Sequence, residues 1–270
     1  MKNILILTDF SDNSWNSVVY ALNLFKNKTI HFYILKTLGK TKEYLNNSNN
    51  ENPNKALDFL LHKIQNSSIN KKHTFTIVKN AINIVTATKE QLKENNIDLI
   101  IIGTNDLTSK EAKNIHPISE ELITKVPCDI LVVPNTASYA GYKQVVFATE
   151  FTNFLEAKLA YNLLNNAPFK NSKFGFLYLS KKEKPLNKDQ QWNKETLNDY
   201  FKNVTHSFIE KFNKKLAISL DEYVTDTNAD LIITAAKNLN LMEQLIFRPH
   251  SSNLNYINKT PFLVLNQNTI

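Results

Sequence analysis

The chain has 270 residues, of which 42% are hydrophobic and 21% are charged, and its formal net charge is +7. This composition is typical of a globular protein with a substantial core, and the length suits one large domain or two of ordinary size. No apolar run approaches the ~18 residues of a membrane-spanning helix. The single cysteine, Cys128, excludes an internal disulfide and a cysteine-based zinc cluster. We therefore expect a cytoplasmic protein that does not enter a membrane.

The first half of the chain alternates predicted strands and helices. The opening "NILILT" indicates a strand rather than a signal peptide, because polar residues follow it at once. Apolar runs without alternation predict strands at 3–8, 30–35, 73–78, 98–102 and 129–134. Helices are predicted between them, at 13–26, 53–66, 81–95 and 117–125. Apolar strands separated by helices predict a parallel sheet that is covered on both faces.

The second half repeats the first. Residues 2–22 align without a gap on 143–163, and "ILVVP" at 130–134 matches "FLVLN" at 262–266. The repeat unit is about a domain long, which indicates a tandem duplication. We predict one domain at 1–136 and a second, more divergent domain after the small-residue linker, at 142–270.

The second domain is predicted to have the same elements with one exception. Strands are expected near 144–149, 173–179, 216–220, 230–234 and 261–265. A long helix is expected at about 188–213, and the third helix is expected to shrink to about one turn. Together the elements predict two tandem doubly wound α/β/α sandwich domains.

The positive charge does not predict a nucleic-acid interface. It is carried almost entirely by scattered lysines, and Arg248 is the only arginine. Reading of bases and bidentate binding of phosphate both favour arginine. We therefore predict a solvated, lysine-rich surface and no nucleic-acid partner.

Three landmarks of the first half resemble the universal stress protein family. They are the Thr-Asp-Phe-Ser at the end of the first strand, the Gly-Thr after the fourth strand, and the closing Pro-Cys-Asp-Ile-Leu-Val-Val-Pro. The resemblance covers 1–135 and, more weakly, 143–266, so the chain resembles a tandem, two-domain member. It implies the adenine nucleotide alpha hydrolase-like fold, in which each domain has a five-stranded parallel sheet of order 3-2-1-4-5.

The resemblance also implies where a nucleotide would bind. Members that bind ATP hold it at the carboxyl ends of strands one and four, the crevice where the strand order reverses. Here Asp9 would contact the nucleoside, and a phosphate loop of pattern Gly-x-x-Gly-x(9)-Gly-Ser/Thr would begin at Gly103 and Thr104. The loop needs glycines because backbone N–H groups must approach the phosphate oxygens closely.

Only the first glycine of that loop is present. Asp106 and His116 stand at the second and third glycine positions, and Pro117 stands at the Ser/Thr position. The carboxylate of Asp106 would repel phosphate oxygens, and Pro117 removes a backbone donor. In the second half no glycine remains at the equivalent positions, which are Ala235, Asn238, Arg248 and Pro249. We therefore predict a degenerate site in both halves.

Two candidate site residues keep alternative roles. Asp9 could contact a ribose or could cap the helix after the first strand, and capping is favoured without an intact phosphate loop. Arg248 could bind a phosphate in place of the lost glycines, although a surface or domain-contact role is favoured. The six histidines show no paired spacing, so no metal site is predicted.

The leading hypothesis is a stress-response protein that does not bind ATP strongly, acts through protein contacts and is not an enzyme. The alternative is a nucleotide sensor that keeps ATP in the first domain through Asp9. A slow ATP-hydrolysing enzyme ranks last, because no metal-holding carboxylate flanks a phosphate cradle. The family resemblance implies association through the last strands, so we expect 130–134 and 262–266 to pair within one chain or between two. An unidentified protein partner is also expected.

Overall fold

Ten strands form one sheet in the described part of the chain, and helices cover both faces of it. The computed structural model describes residues 1–9, 11–36, 53–78, 83–103, 117–164, 167–247 and 254–266. None of the helices described there is both long enough and apolar enough to cross a membrane.

The first half has the predicted alternation of strands and helices. Its elements are β1 (Lys2–Thr8), α1 (Asp12–Leu24), β2 (Ile30–Lys36), α2 (Pro53–Ser67), β3 (His73–Val78), α3 (Ile84–Asn95), β4 (Leu99–Gly103), α4 (Pro117–Lys125) and β5 (Ile130–Val133). α1 begins after Ser11, whose hydroxyl accepts a hydrogen bond from the amide of Ser14. α3 ends at Asn96 in the left-handed conformation, which asparagine tolerates better than most residues. The predicted boundaries are confirmed to within a few residues.

The second half repeats this layout. Its elements are β6 (Gln144–Thr149), α5 (Phe154–Leu164), β7 (Lys173–Ser180), α6 (Lys188–Phe201), β8 (His206–Phe212), α7 (Leu216–Thr227), β9 (Leu231–Ala235), α8 (Leu239–Met242), α9 (Asn255–Lys259) and β10 (Phe262–Leu265). A 3₁₀ turn at Ala167–Phe169 precedes β7, and a π-helical turn at Glu243–Phe247 extends α8.

Two predictions for the second half are wrong. The helix expected at about 188–213 ends at Phe201, and β8 follows it. The strand expected at 216–220 is the beginning of α7, which is therefore a full helix and not a single turn. β8 lies at the edge of the sheet and is only half covered, so its polar and apolar residues mix and no buried run marks it as a strand. Residues 216–220 form an apolar run because this face of α7 packs on the sheet.

The strand order confirms the predicted fold class. The order is β3-β2-β1-β4-β5-β10-β9-β6-β7-β8, so each half has the order 3-2-1-4-5. All strand pairs within a half are parallel. The strand order therefore reverses between β1 and β4 in the first half, and between β6 and β9 in the second.

The two halves meet through β5 and β10, which pair antiparallel and make the sheet continuous. Leu131 lies opposite Leu263 at the centre of this pairing. Just beyond β10, the amide of Asn266 donates to Asp129 Oδ1 at 2.7 Å. The last strands of the two halves thus face each other inside one chain.

Each strand contributes to two cores, one on each face of the sheet. In β1, Ile4 and Ile6 belong to the core that includes residues of α1 and α2. Leu5 and Leu7 belong to the opposite core, which includes residues of α3 and α4. Successive side chains of a strand point to opposite faces, so strands covered on both faces are apolar without alternation.

Candidate functional site

The candidate site of the first half lies where β1 and β4 end side by side. Ile6 of β1 pairs with Ile101 of β4, so Asp9 follows one strand at the same sheet edge at which Gly103 ends the other. This is the usual ligand position of a doubly wound sheet. The fold therefore keeps the crevice in which the sequence predicts a degenerate nucleotide site.

The side chain of Asp9 is engaged within its own turn. Its Oδ1 accepts hydrogen bonds from the amide of Ser11 at 3.0 Å and from the hydroxyl of Ser11 at 2.6 Å. Burial opposes ionisation of Asp9, but the hydrogen bonds from Ser11 outweigh it and lower the pKa of the carboxyl group. The helix cap itself is Ser11, and Asp9 positions that serine.

Four of the predicted site residues lie outside the described residues. They are Thr104, Asp106 and His116 of the phosphate loop and Arg248 of the second half. The flanks of the loop are described, because Gly103 ends β4 and Pro117 begins α4. The degeneracy of the first-half loop therefore stays a prediction from sequence.

In the second half, a hydrogen bond between side chains spans the equivalent crevice. Glu150 follows β6 directly, and Asn240 lies in α8 beyond the end of β9. Asn240 Nδ2 donates to Glu150 Oε1 at 3.3 Å. Asn238, the N-cap of α8, is 7% exposed, and its Nδ2 has no hydrogen-bond partner within the described part of the chain. Asn238 thus stands at one of the positions where a phosphate loop would need glycine.

A second carboxyl group, that of Glu156, is buried next to this crevice. Glu156 lies in the first turn of α5, is 2% exposed, and accepts a hydrogen bond of 2.5 Å from the hydroxyl of Thr149. Loss of water on burial raises the pKa of Glu156 to about 7, against the hydrogen bond from Thr149 and with the help of the nearby charge of Glu150. Burial also raises the pKa of Glu150. This half therefore holds two carboxyl groups that resist ionisation.

The turn between β6 and α5 is fixed by side chains of α6. Phe151 has a φ of 53° and stacks its buried ring on Tyr178, with 5.5 Å between ring centroids. Its carbonyl oxygen accepts from Asn193 Nδ2 at 2.7 Å, and that of Glu150 accepts from Gln190 Nε2 at 2.8 Å. A left-handed phenylalanine costs about 1–3 kcal/mol and persists only where its surroundings enforce it. The contacts with α6 provide that enforcement.

The sequence analysis did not identify Glu156 as a buried carboxyl group with a raised pKa. An acidic residue in the first turn of a helix is ordinary, because it complements the helix dipole. A usable signal was the gapless repeat alignment, which places Glu156 opposite Trp15. A carboxyl group at a position that holds a large aromatic residue in the other copy indicates a covered, and therefore perturbed, acid.

The second-half crevice lacks the features that hold a polyphosphate. A polyphosphate at the ends of β6 and β9 would meet the carboxyl group of Glu150 and would find no glycine turn. Within the described ranges, no group of three or more His, Cys, Asp or Glu residues could hold a metal ion. Cys128 is buried, and burial raises the pKa of its thiol, so it is not a reactive nucleophile.

Comparison with known proteins gives a family match for the first half. Residues 1–134 match the model of the universal stress protein family. The structure is similar to that of a universal stress protein from Archaeoglobus fulgidus DSM 4304, with a TM-score of 0.68, 15% identity and 98% of each chain covered. It is also similar to a Pseudomonas aeruginosa UCBPP-PA14 protein assigned to the universal stress proteins, with a TM-score of 0.58, 12% identity, and coverage of 98% of this chain and 93% of that one. Curated proteins gave no match. At these identities the structural similarity shows the fold alone.

Proposed function

Because the chain belongs to the universal stress protein family through residues 1–134, we propose that it is a cytoplasmic stress-response protein that acts by contacting other proteins. In this proposal it is not an enzyme, and its nucleotide sites are degenerate. The observation that carries the proposal is the hydrogen bond between Glu150 and Asn240, which spans the second-half crevice. A nucleotide would have to break this bond and bring phosphate next to a carboxyl group.

The sequence of the first-half loop supports the same proposal. Asp106, His116 and Pro117 stand where glycines and a hydroxyl residue would contact phosphates. Asp9 already accepts two hydrogen bonds from Ser11, so part of its capacity to contact a nucleoside is used.

The second candidate function is a nucleotide sensor that uses the first half alone. One arrangement favours it: Asp9 and Gly103 lie at the adjacent carboxyl ends of β1 and β4. The hydrogen bonds that lower the pKa of Asp9 keep its carboxylate charged and oriented. A ribose hydroxyl could then donate to the carboxylate oxygen that Ser11 leaves unused.

Calorimetric titration of the whole chain with ATP and Mg²⁺ separates these two functions. We expect no binding in the micromolar range, because the sequence of neither half keeps the glycine pattern that phosphates require. Asp9→Ala tests the sensor, with Asp12→Ala, an exposed neighbour in α1, as the matched control. Micromolar binding that disappears in Asp9→Ala and persists in Asp12→Ala would establish the sensor and refute the degenerate site.

We also propose that self-association of the two domains occurs within the chain. The pairing of β5 with β10 supports this, because each strand satisfies the hydrogen-bonding edge of the other. A homodimer would then have to use a different surface. Size-exclusion chromatography with light scattering tests the proposal, and a dimer that dissociates on substitution in β5 or β10 would contradict it.

A further inference from the structure

A cavity lies between the two halves, on the face of the sheet that carries α1 and α5. Its volume is ≈ 570 Å³. Sites for small molecules usually have volumes of about 300–1,000 Å³. Leu131 and Leu263, which face each other across the junction of β5 and β10, both line it. The cavity therefore belongs to the tandem arrangement and to neither half alone.

One part of the cavity wall is apolar and includes four aromatic residues. Its residues come from the ends of α1 and α5, the linker and the 3₁₀ turn before β7, and include Leu24, Phe25, Tyr139, Tyr142, Leu163 and Phe169. The ring of Tyr142 stacks on Phe169 at 5.2 Å and meets Tyr139 edge-on at 5.1 Å. Its hydroxyl is within 3.2 Å of the hydroxyl of Tyr20, which donates to it. These contacts fix the linker, so the cavity exists before any ligand arrives.

The charge at the rim of the cavity is positive. Lys26 and Lys28 line it, are exposed, and form no salt bridge within the described residues. Asp98 and Asp129 also line it, but each already accepts a hydrogen bond of 2.7 Å from a backbone amide. These hydrogen bonds leave both carboxylates charged. Lys2, Lys26 and Lys28 outnumber them, so the net charge of these side chains is positive.

We propose that this cavity binds a small monocarboxylate with an extended apolar body. The apolar body displaces water from the aromatic walls over Leu131 and Leu263, and the carboxylate lies at Lys26 and Lys28. Such a ligand contacts both halves and the linker, so it stabilises the junction between them.

This site is separate from the nucleotide crevice of the first half. The cavity is lined by Lys2 and Leu99, at the starts of β1 and β4, whereas Asp9 and Gly103 lie at the ends of these strands. The proposal therefore stands whether or not the first half binds ATP.

Calorimetric titration of the full chain with sodium octanoate tests the proposal, and 1-octanol serves as an uncharged probe of the same length. We expect saturable binding of octanoate at one site per chain. The double substitution Lys26→Ala/Lys28→Ala is expected to weaken octanoate binding about fivefold, as for the loss of exposed ion pairs, and to leave 1-octanol binding unchanged. Lys188→Ala, an exposed lysine at the start of α6, is the control.

Blocking the cavity gives a second, independent readout. Asn23→Trp places a large ring at the rim and is expected to abolish binding of both probes, whereas Asp226→Trp on the exposed side of α7 leaves it intact. Leu24→Trp repeats the block from the cavity wall, in case the first variant does not fold by circular dichroism. Absence of saturable octanoate binding, or binding that survives the block in a folded variant, overturns the proposal. If the double variant binds octanoate with unchanged affinity, the carboxylate does not lie at Lys26 and Lys28, and that part of the proposal is overturned.

Discussion

Replacement of Glu156 by glutamine is expected to make the protein more stable, and only above mildly acidic pH. The carboxyl group of Glu156 is 2% exposed and holds a hydrogen bond from Thr149. The amide oxygen of glutamine can accept the same hydrogen bond, and glutamine does not ionise. The substitution therefore isolates the free-energy cost of a buried carboxylate.

The size of the effect follows from the two pKa values. The pKa of Glu156 is 4.5 in an unperturbed state and about 7 in the folded chain. Because the folded pKa is the higher one, the stability that Glu156 contributes is fully present below pH 4.5 and falls as the pH rises towards about 7. At about 1.4 kcal/mol for each tenfold change, the total loss is about 3 kcal/mol. Above that pH both states are ionised, and the contribution of Glu156 no longer changes.

Urea denaturation of wild type and Glu156→Gln between mildly acidic and mildly alkaline pH measures this difference. We expect the free energies of unfolding to be similar at the acidic end, and glutamine to be favoured by about 3 kcal/mol at the alkaline end. Glu222→Gln, at an exposed position of α7, is the control that should show no such trend. A difference between wild type and Glu156→Gln that stays constant with pH would show that Glu156 is ionised in the folded chain and would refute the reasoning.

Two further substitutions test the local structure by urea denaturation. Ser11→Ala removes the cap of α1 and is expected to lower the free energy of unfolding by about 1 kcal/mol. Ser67→Ala, at the exposed end of α2, is the control and should lower it little. Equal effects of the two substitutions would contradict the role of the cap. Gly175→Ala places a methyl group 2.5 Å from the hydroxyl oxygen of Tyr223 and is expected to cost about 1–2 kcal/mol. Tyr223→Phe in the same background should restore part of that loss, and no recovery would mean that another contact limits the space at Gly175.

Most of the fold was predictable, because parallel strands buried on both faces leave a strong pattern. Runs such as 99–102 are apolar throughout, and each is followed by a helix, which fixes the βαβ connections and the fold class. The repeat extended this prediction to the second half, because the sequence alignment of the two halves matches strands of the second half to strands of the first. The same reasoning failed at β8, an edge strand whose seven residues include no fully buried one. An edge strand that is only partly covered lacks the buried apolar run that identified the other strands.

The candidate site was predictable in position but not in composition. The end of β1 and the end of β4 meet because the strand order requires it, so Asp9 and Gly103 could be placed from sequence. The burial of Glu156 could not, because it depends on how α5 packs on the sheet next to Thr149. The hydrogen bond from Asn240 to Glu150 likewise joins residues that are far apart in the chain and have no shared pattern.

The antiparallel junction of β5 and β10 joins two crevices whose sequences can change independently. It points the carboxyl ends of the two sets of strands towards opposite edges of the sheet, so the crevices open in opposite directions. In a homodimer of identical domains, every substitution would appear in both crevices at once. In this chain a substitution falls on one crevice only, and the pairing partner is fixed by a covalent link. One copy can therefore carry Asp9 while the other carries Glu150, with no loss of the shared sheet.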